Sequence, residues 1–256
     1  MAKRVGKRSG IYLYAVVADS EERTYGAFGI NESTVYSISD GGVAAVVSDV
    51  PNVKIRPERR HLAAHHEVLK RLMAESAVLP MSFGIIADGS RAVGRILSLN
   101  RKAFLEQLQR VAGKVEMGLR VVWDVPNIFE YFVNTHAELR AARDRFLGTH
   151  REPTQEDKIE VGRMFDRILN EDRDAYTGKV EEVLSRHCYE IRQNPCRNER
   201  EVMNLACLVG REAQEEFESA IFVAARLFDN NFSFDYNGPW APHNFVDLDL
   251  RLSADH

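Results

Sequence analysis

Cysteine, proline and tryptophan are scarce, with three, eight and two residues in a chain of 256. Cys188, Cys196 and Cys207 are odd in number and fit no zinc finger or ribbon spacing. Neither a disulfide framework nor a structural zinc site is expected, and a reducing, cytoplasmic compartment is the economical reading. No apolar run approaches the ~18–20 residues of a membrane span. The basic start, Met1 to Gly10, lacks the apolar stretch and small-residue cleavage site of a secretory signal. GxxxxGK[ST] and GxGxxG phosphate loops, a GxSxG elbow and HExxH are all missing, so the common nucleotide, hydrolase and zinc-protease signatures are excluded. There is also no internal repeat and no low-complexity tract.

What is present describes a globular protein with 45% hydrophobic and 28% charged residues. Residues 1–112 hold 16 basic and 11 acidic side chains, residues 113–256 hold 18 and 27. Four of the positive charges (Lys3, Arg4, Lys7, Arg8) fall in the first eight residues, which reads as a solubilising tail over 1–10. Ile11 to Val17 predicts a strand, and Thr34 to Ile38 with Val43 to Val47 a hairpin around Asp40-Gly41-Gly42. Pro57 is placed to open a helix whose stripe is Leu62, His66, Leu69 and Met73. Val78 to Ile86 reads as a strand in which Pro80 marks an edge or bulge. A helix follows over Gly89 to Ala112, with Val93, Ile96, Leu97, Phe104, Leu108 and Val111 inward.

The clearest alternation is Val115, Met117, Leu119, Val121 and Trp123 against Glu116, Gly118, Arg120, Val122 and Asp124, a half-buried strand. One helix is then expected from Pro126 to Phe146, facing inward with Ile128, Phe129, Phe132, Leu139 and Phe146. After a break at Gly148 to Pro153 comes a long helix with the stripe Ile159, Phe165, Leu169, Tyr176, Val180 and Leu184. Strands at Cys188 to Gln193 and Val202 to Val209, a helix from Arg211 to Phe228 and a strand with Phe232, Phe234 and Tyr236 inward complete the order. The fold class is therefore α+β in two domains, 11–112 and 113–256. The second has the βαββαβ order of a ferredoxin-like unit with an inserted helical arm. Its open sheet face would carry Glu116, Arg120, Asp124, Glu190, Arg192 and Asp235.

Three candidate chemistries compete with packing. His61 and His65 stand four apart on a helix, a spacing at which two imidazoles can share a metal ion. The expectation is instead that His66 is a core residue and the other two lie at the surface. The cysteines sit in predicted strands or a turn and behave as small hydrophobes. A ferredoxin-like sheet can bind RNA through aromatics on its open face, but here the aromatics alternate onto the helix side and the half is acidic. No nucleic acid, membrane lipid, cofactor or metal is expected, and no catalytic residue. The closing run Tyr236 to Phe245, with two prolines, a glycine and three aromatics, reads as a rigid turn capping a core, or else as a recognition loop.

Three collinear stretches carry a resemblance. They are Tyr12-Leu13-Tyr14-Ala15; His65-His66-Glu67-Val68-Leu69 to Met73 followed by Val78-Leu79-Pro80-Met81-Ser82-Phe83-Gly84; and Tyr236-x-Gly238-Pro239-Trp240-x-Pro242-x-x-Phe245. Together they resemble the gas vesicle protein F/L family (GvpF/GvpL), the F branch being favoured. Ser82 departs from the basic residue usual there before Phe-Gly. The resemblance implies a modified ferredoxin-like N-terminal domain and a ferredoxin-like C-terminal domain with a helical extension. It further implies a non-enzymatic, minor structural or assembly protein at the gas vesicle in the cytoplasm, where hollow protein shells give buoyancy. Its implied partners are the small hydrophobic major shell protein and other accessory proteins. On this reading the N-terminal domain makes the contact through the edge strand, at Val78, Pro80, Phe83 and Ile85.

Overall fold

The computed structural model describes residues 9–148, 154–248 and 250. The chain forms two compact units, Met1–Glu116 with Pro239–His256, and Met117–Gly238. The sequence boundary near Gly113 is close to this division, but the closing segment joins the first unit instead of the second. The reason is apolar: Phe245 is fully buried, and Val246, Leu248 and Leu250 pack on the first unit's core.

The first unit contains β1 (Ser9–Val17), β2 (Thr24–Ala27), β3 (Thr34–Asp40), β4 (Val43–Pro51), α1 (Arg59–Glu75), β5 (Val78–Pro80), β6 (Ile86–Ala87) and α2 (Ser90–Val111). The sheet order is β2-β3-β4-β1-β5, with β6 also on β1. Ser9 and Gly10, expected in the tail, already pair with β4, while residues 1–8 lie outside the described residues. Ile11 to Val17 are buried throughout because each sheet face is covered. Ile11, Leu13 and Val16 join the core under α2, whereas Tyr12 and Tyr14 face α1. A register irregularity between Leu13 and Ala15 lets Leu13 and Val16 share one face despite their odd spacing. The β3–β4 hairpin is as expected, closing through Gly41 (φ 59°) and Gly42 (φ 92°), where both residues need positive φ.

Three differences from expectation lie here. β2, short and interrupted by Gly26, has no sequence signal; it is held by Arg23 N–H donating to Ser37 Oγ at 2.8 Å. Val78 to Ile86 is not one strand: β5 ends at Pro80 and β6 begins at Ile86. β5 does lie at the sheet edge, as a proline requires. The intervening turn returns to β1, Met81 N–H donating to the Tyr14 carbonyl and Leu13 N–H to the Ile85 carbonyl. The third difference is the phase of α1. His61, His65, Val68, Leu69, Leu72 and Met73 are buried, while Leu62 is 36% exposed and His66 faces outward. Each buried imidazole has a hydrogen-bond partner at Nδ1 (Tyr12 Oη for His65, the Arg56 carbonyl for His61), and the helix turns by about one residue, ~100°, from the purely apolar stripe. The α1 start also shifts, with Glu58 rather than Pro57 at its border. α2 follows its predicted stripe, except that Ile96 is half-buried and Asn100 is buried, donating to the Ile96 carbonyl.

The second unit takes most of β7 (Lys114–Trp123) and β10 (Phe232–Trp240), with α3 (Ile128–Thr135), α4 (Ala137–Gly148), α5 (Gln155–Leu184), β8 (Glu190–Gln193), β9 (Glu201–Gly210) and α6 (Gln214–Ala225). Its sheet order is β10-β7-β9-β8. All five predicted inward positions of β7 are buried. The single helix expected from Pro126 to Phe146 is two, because His136 is extended (φ −112°, ψ 116°). Its ring stacks on Phe132 and its Nε2 lies 3.3 Å from Asp172, a side-chain set that holds the bend. Phe129, expected inward, is 56% exposed, and Ile159 also faces outward. The Phe146 side chain and residues 149–153 lie outside the described residues. Thr154 and Asp157 form a capping box that starts α5. Trp123 meets Phe132 at 5.2 Å and Phe232 meets Tyr176 at 4.9 Å, so these aromatics pack under the helices rather than on the open face. On that face Arg120 pairs with Asp235 at 2.8 Å and Arg192 with Glu190 at 2.8 Å. Glu116, expected there, is buried in the first unit instead.

Candidate docking groove

The residues that carry the family resemblance in the first unit gather around α1. Gly84 N–H donates to Tyr12 Oη (3.1 Å), and Tyr12 Oη is 2.9 Å from His65 Nδ1. Burial pushes the Tyr12 phenol up to about 12 and the His65 imidazole down to about 4, with His243 and His66 adding to the latter shift. Both groups are therefore neutral near pH 7. The Phe83 ring closes the cluster edge-on, 6.1 Å from Tyr12 and 5.8 Å from His65. Gly84 has φ 92°, a backbone state that other residues resist. Beside it, Tyr14 Oη accepts from Ile30 N–H and donates to Ser48 Oγ.

This arrangement corrects the reading of the histidines. His61 is buried, with Nδ1 on the Arg56 carbonyl (2.9 Å) and Nε2 on Asn31 Oδ1 (3.0 Å). His61 and His65 thus anchor α1 to different neighbours and do not converge. Among the described residues no group of three or more His, Cys, Asp or Glu is placed to hold a metal ion. No helix of the described residues is long and apolar enough to cross a membrane.

The outward His66 forms part of a groove of about 270 Å³. One wall is the α1 flank, with Leu69, Lys70 and Met73; the other is the segment Pro239 to His243. The Trp240 ring lies 5.9 Å from that of His66 and remains 43% exposed. Glu116 fixes the second wall: Oε2 accepts from Asn244 N–H (2.8 Å) and Oε1 from Asn244 Nδ2 (2.6 Å). Partial burial and the nearby His66 hold His243 below the usual histidine range. The closing segment therefore divides its aromatics, with Phe245 in the core and Trp240 at the groove mouth. The Glu116–Asn244 link, spanning 128 residues, had no signal in the sequence beyond the polar side of an alternating strand.

Of the expected interface residues, Val78 and Pro80 are buried, and Phe83 and Ile85 are half-buried. What β5 offers at its outer edge is accordingly main chain more than side chain. Ser82, the departure from the family pattern, is exposed.

A two-unit α+β protein, with an aromatic-rimmed apolar groove in its first unit, is the class these features define. The family model described as gas vesicle synthesis protein GvpL/GvpF matches residues 10–247, so the chain belongs to that family. It is 24% identical over 242 residues to gas vesicle protein F of Dolichospermum flosaquae, covering 93% of this chain and 98% of that one. To gas vesicle protein F of Streptomyces sp. (strain CB03234) it is 28% identical over 241 residues, covering 92% and 99%. The crystal structure of GvpF from Anabaena sp. PCC7120 shares its fold, with a TM-score of 0.79, 23% identity, and coverage of 94% of this chain and 99% of that chain.

Proposed function

We propose that this protein is a non-enzymatic, minor structural or assembly component of gas vesicles that binds the small hydrophobic major shell protein and supports shell formation for buoyancy. It acts at the gas vesicle in the cytoplasm, with other gas vesicle accessory proteins as further partners. The observation that supports this reading is the groove beside Trp240, where a large, exposed aromatic rims an apolar pocket floored by the largely buried α1 side chains Leu69 and Met73. A subunit that lines a gas space is strongly apolar, and a carrier that shields it before assembly needs such a contact. The β5 edge belongs to the same proposal, its main chain free to add a strand and Val78, Pro80, Phe83 and Ile85 setting its shape. We read the β10-β7-β9-β8 order as ferredoxin-like and the first unit as a modified version of it.

The test is an affinity pull-down of the tagged full chain from a gas-vesicle-forming host, followed by mass spectrometry. The wild type is expected to enrich the small shell protein. Trp240→Ala, at an exposed position, is expected to fold and to reduce that recovery about tenfold. Undiminished recovery with Trp240→Ala moves the contact away from the groove, and a wild type that brings down no shell protein overturns the function.

A further inference from the structure

The three cysteines of the second unit are free thiols, and the fold treats them differently. Cys188 follows the last turn of α5 and precedes β8; it is half-buried, and its Sγ donates to the Leu184 carbonyl at 3.0 Å. Cys207 lies in β9 and is fully buried. Tyr189 N–H donates to the Leu208 carbonyl at 2.8 Å, so the residues directly after these two cysteines are joined main chain to main chain. The thiols meet beside this join. The Cys207 thiol hydrogen-bonds the Cys188 sulfur and holds the Cys188 thiol below its usual range, against the opposing effect of burial. Cys196 stands apart, beyond the other end of β8, four residues or roughly 13 Å of strand away. Its Sγ donates to the Val202 carbonyl, and burial pushes its thiol up.

We propose that Cys188 and Cys207 form a redox modification site at which hydrogen peroxide converts the two thiols to a disulfide. Cys188 is the accessible member and reacts first, as the thiolate. Its sulfur attacks one peroxide oxygen and the O–O bond breaks. Cys188 becomes a sulfenic acid, and the hydroxide that leaves takes up the thiol's proton to become water. The Cys207 sulfur, already in contact, then attacks the Cys188 sulfur. The S–S bond forms, the S–O bond breaks, and the hydroxyl leaves with the Cys207 proton as a second water. The two thiols lose two electrons, and one peroxide takes them up. A resolving thiol held in contact outruns the second peroxide that would carry the sulfenic acid on to the irreversible sulfinic acid. The bridge ties the end of α5 to β9, and a thiol reductant reverses it. Reversible disulfides of this kind are those that reducing compartments use in redox sensing.

The test treats the reduced, folded full-length chain with hydrogen peroxide, blocks the remaining thiols and maps a trypsin digest by mass spectrometry. Arg192, Arg197 and Arg200 part the three cysteines on digestion. The expected product is lighter by two hydrogens, joins the Cys188 peptide to the Cys207 peptide, leaves Cys196 blocked as a free thiol, and reverts with dithiothreitol. Cys188→Ser is expected to slow the loss of the Cys207 thiol by at least about tenfold, because the buried sulfur then lacks its accessible partner. Cys196→Ser is expected to leave the bridge unchanged. Cys188→Ala serves if the serine variant does not fold, and the wild-type map decides alone if neither does. A bridge that includes Cys196, or an unbridged Cys188 advanced to sulfinic acid, overturns the site. So does a wild type left unchanged by peroxide that oxidises a free cysteine peptide, or a Cys207 thiol lost as fast in Cys188→Ser as in the wild type.

Discussion

At the scale of single residues, the buried imidazole of His65 links structure to pH. It titrates at about 6.5 when unfolded and is pushed down to about 4 in the fold, chiefly by burial. The unfolded state therefore takes up the proton first on acidification. Stability is fully present above pH 6.5 and is lost as the pH falls toward 4, by on the order of 3 kcal/mol for this group. His243, also depressed, acts in the same direction. Urea denaturation at pH 7.5 and pH 4.5 is expected to show that loss, and His65→Gln to flatten it. An acid limb unchanged in His65→Gln would place the sensitivity elsewhere. The two-histidine pattern was legible in the sequence, but which members are buried was not. A residue's place on a helix face shifts by about 100° per position, and the choice between Leu62 and His61 depends on Arg56 and Asn31, which only the folded chain brings near.

At the scale of elements, strands with strong local period were readable and irregular joins were not. β7 alternates over its whole length, and the burial of its inward side chains follows from that period alone. The hairpin at Gly41-Gly42 was likewise readable, because its turn type needs glycine. The Val78 to Ile86 segment is different: Pro80 signalled an edge, but the turn over Met81 to Ile85 depends on hydrogen bonds to β1 made far along the chain. Gly84 is the pivot of that turn, holding φ 92° and donating to Tyr12. Nothing lies within 4 Å of a Cβ there, so Gly84→Ala tests backbone strain without a clash. It is expected to cost about 1–2 kcal/mol in chemical denaturation; a neutral result would mean that the turn relaxes readily.

At the scale of the whole molecule, the closing segment belongs to the unit in which the chain began. Phe245 is fully buried, Asn244 satisfies both oxygens of Glu116, and Val246 and Leu248 cover apolar core. Deleting the chain from Ala241 onward leaves a buried carboxylate without these donors and exposes that core. Hydrogen exchange in β1 and β4 is then expected to accelerate by at least about tenfold, while β8 and β9 of the second unit keep their protection. Equal protection in β1 and β4 would show that the segment only decorates the first unit. The α+β class, the strand order of the second half (though not the break of its first helix at His136), the family and the stretches that mark it are legible in the order of residues. These rest on local period, turn chemistry and collinear motifs, which survive without knowledge of distant neighbours. The phase of α1, the return of the closing segment and the Trp240 groove, by contrast, were set by long-range packing. Each of those depends on groups far apart in the chain, and their burial is settled by which partners satisfy them and which spaces remain when the elements pack.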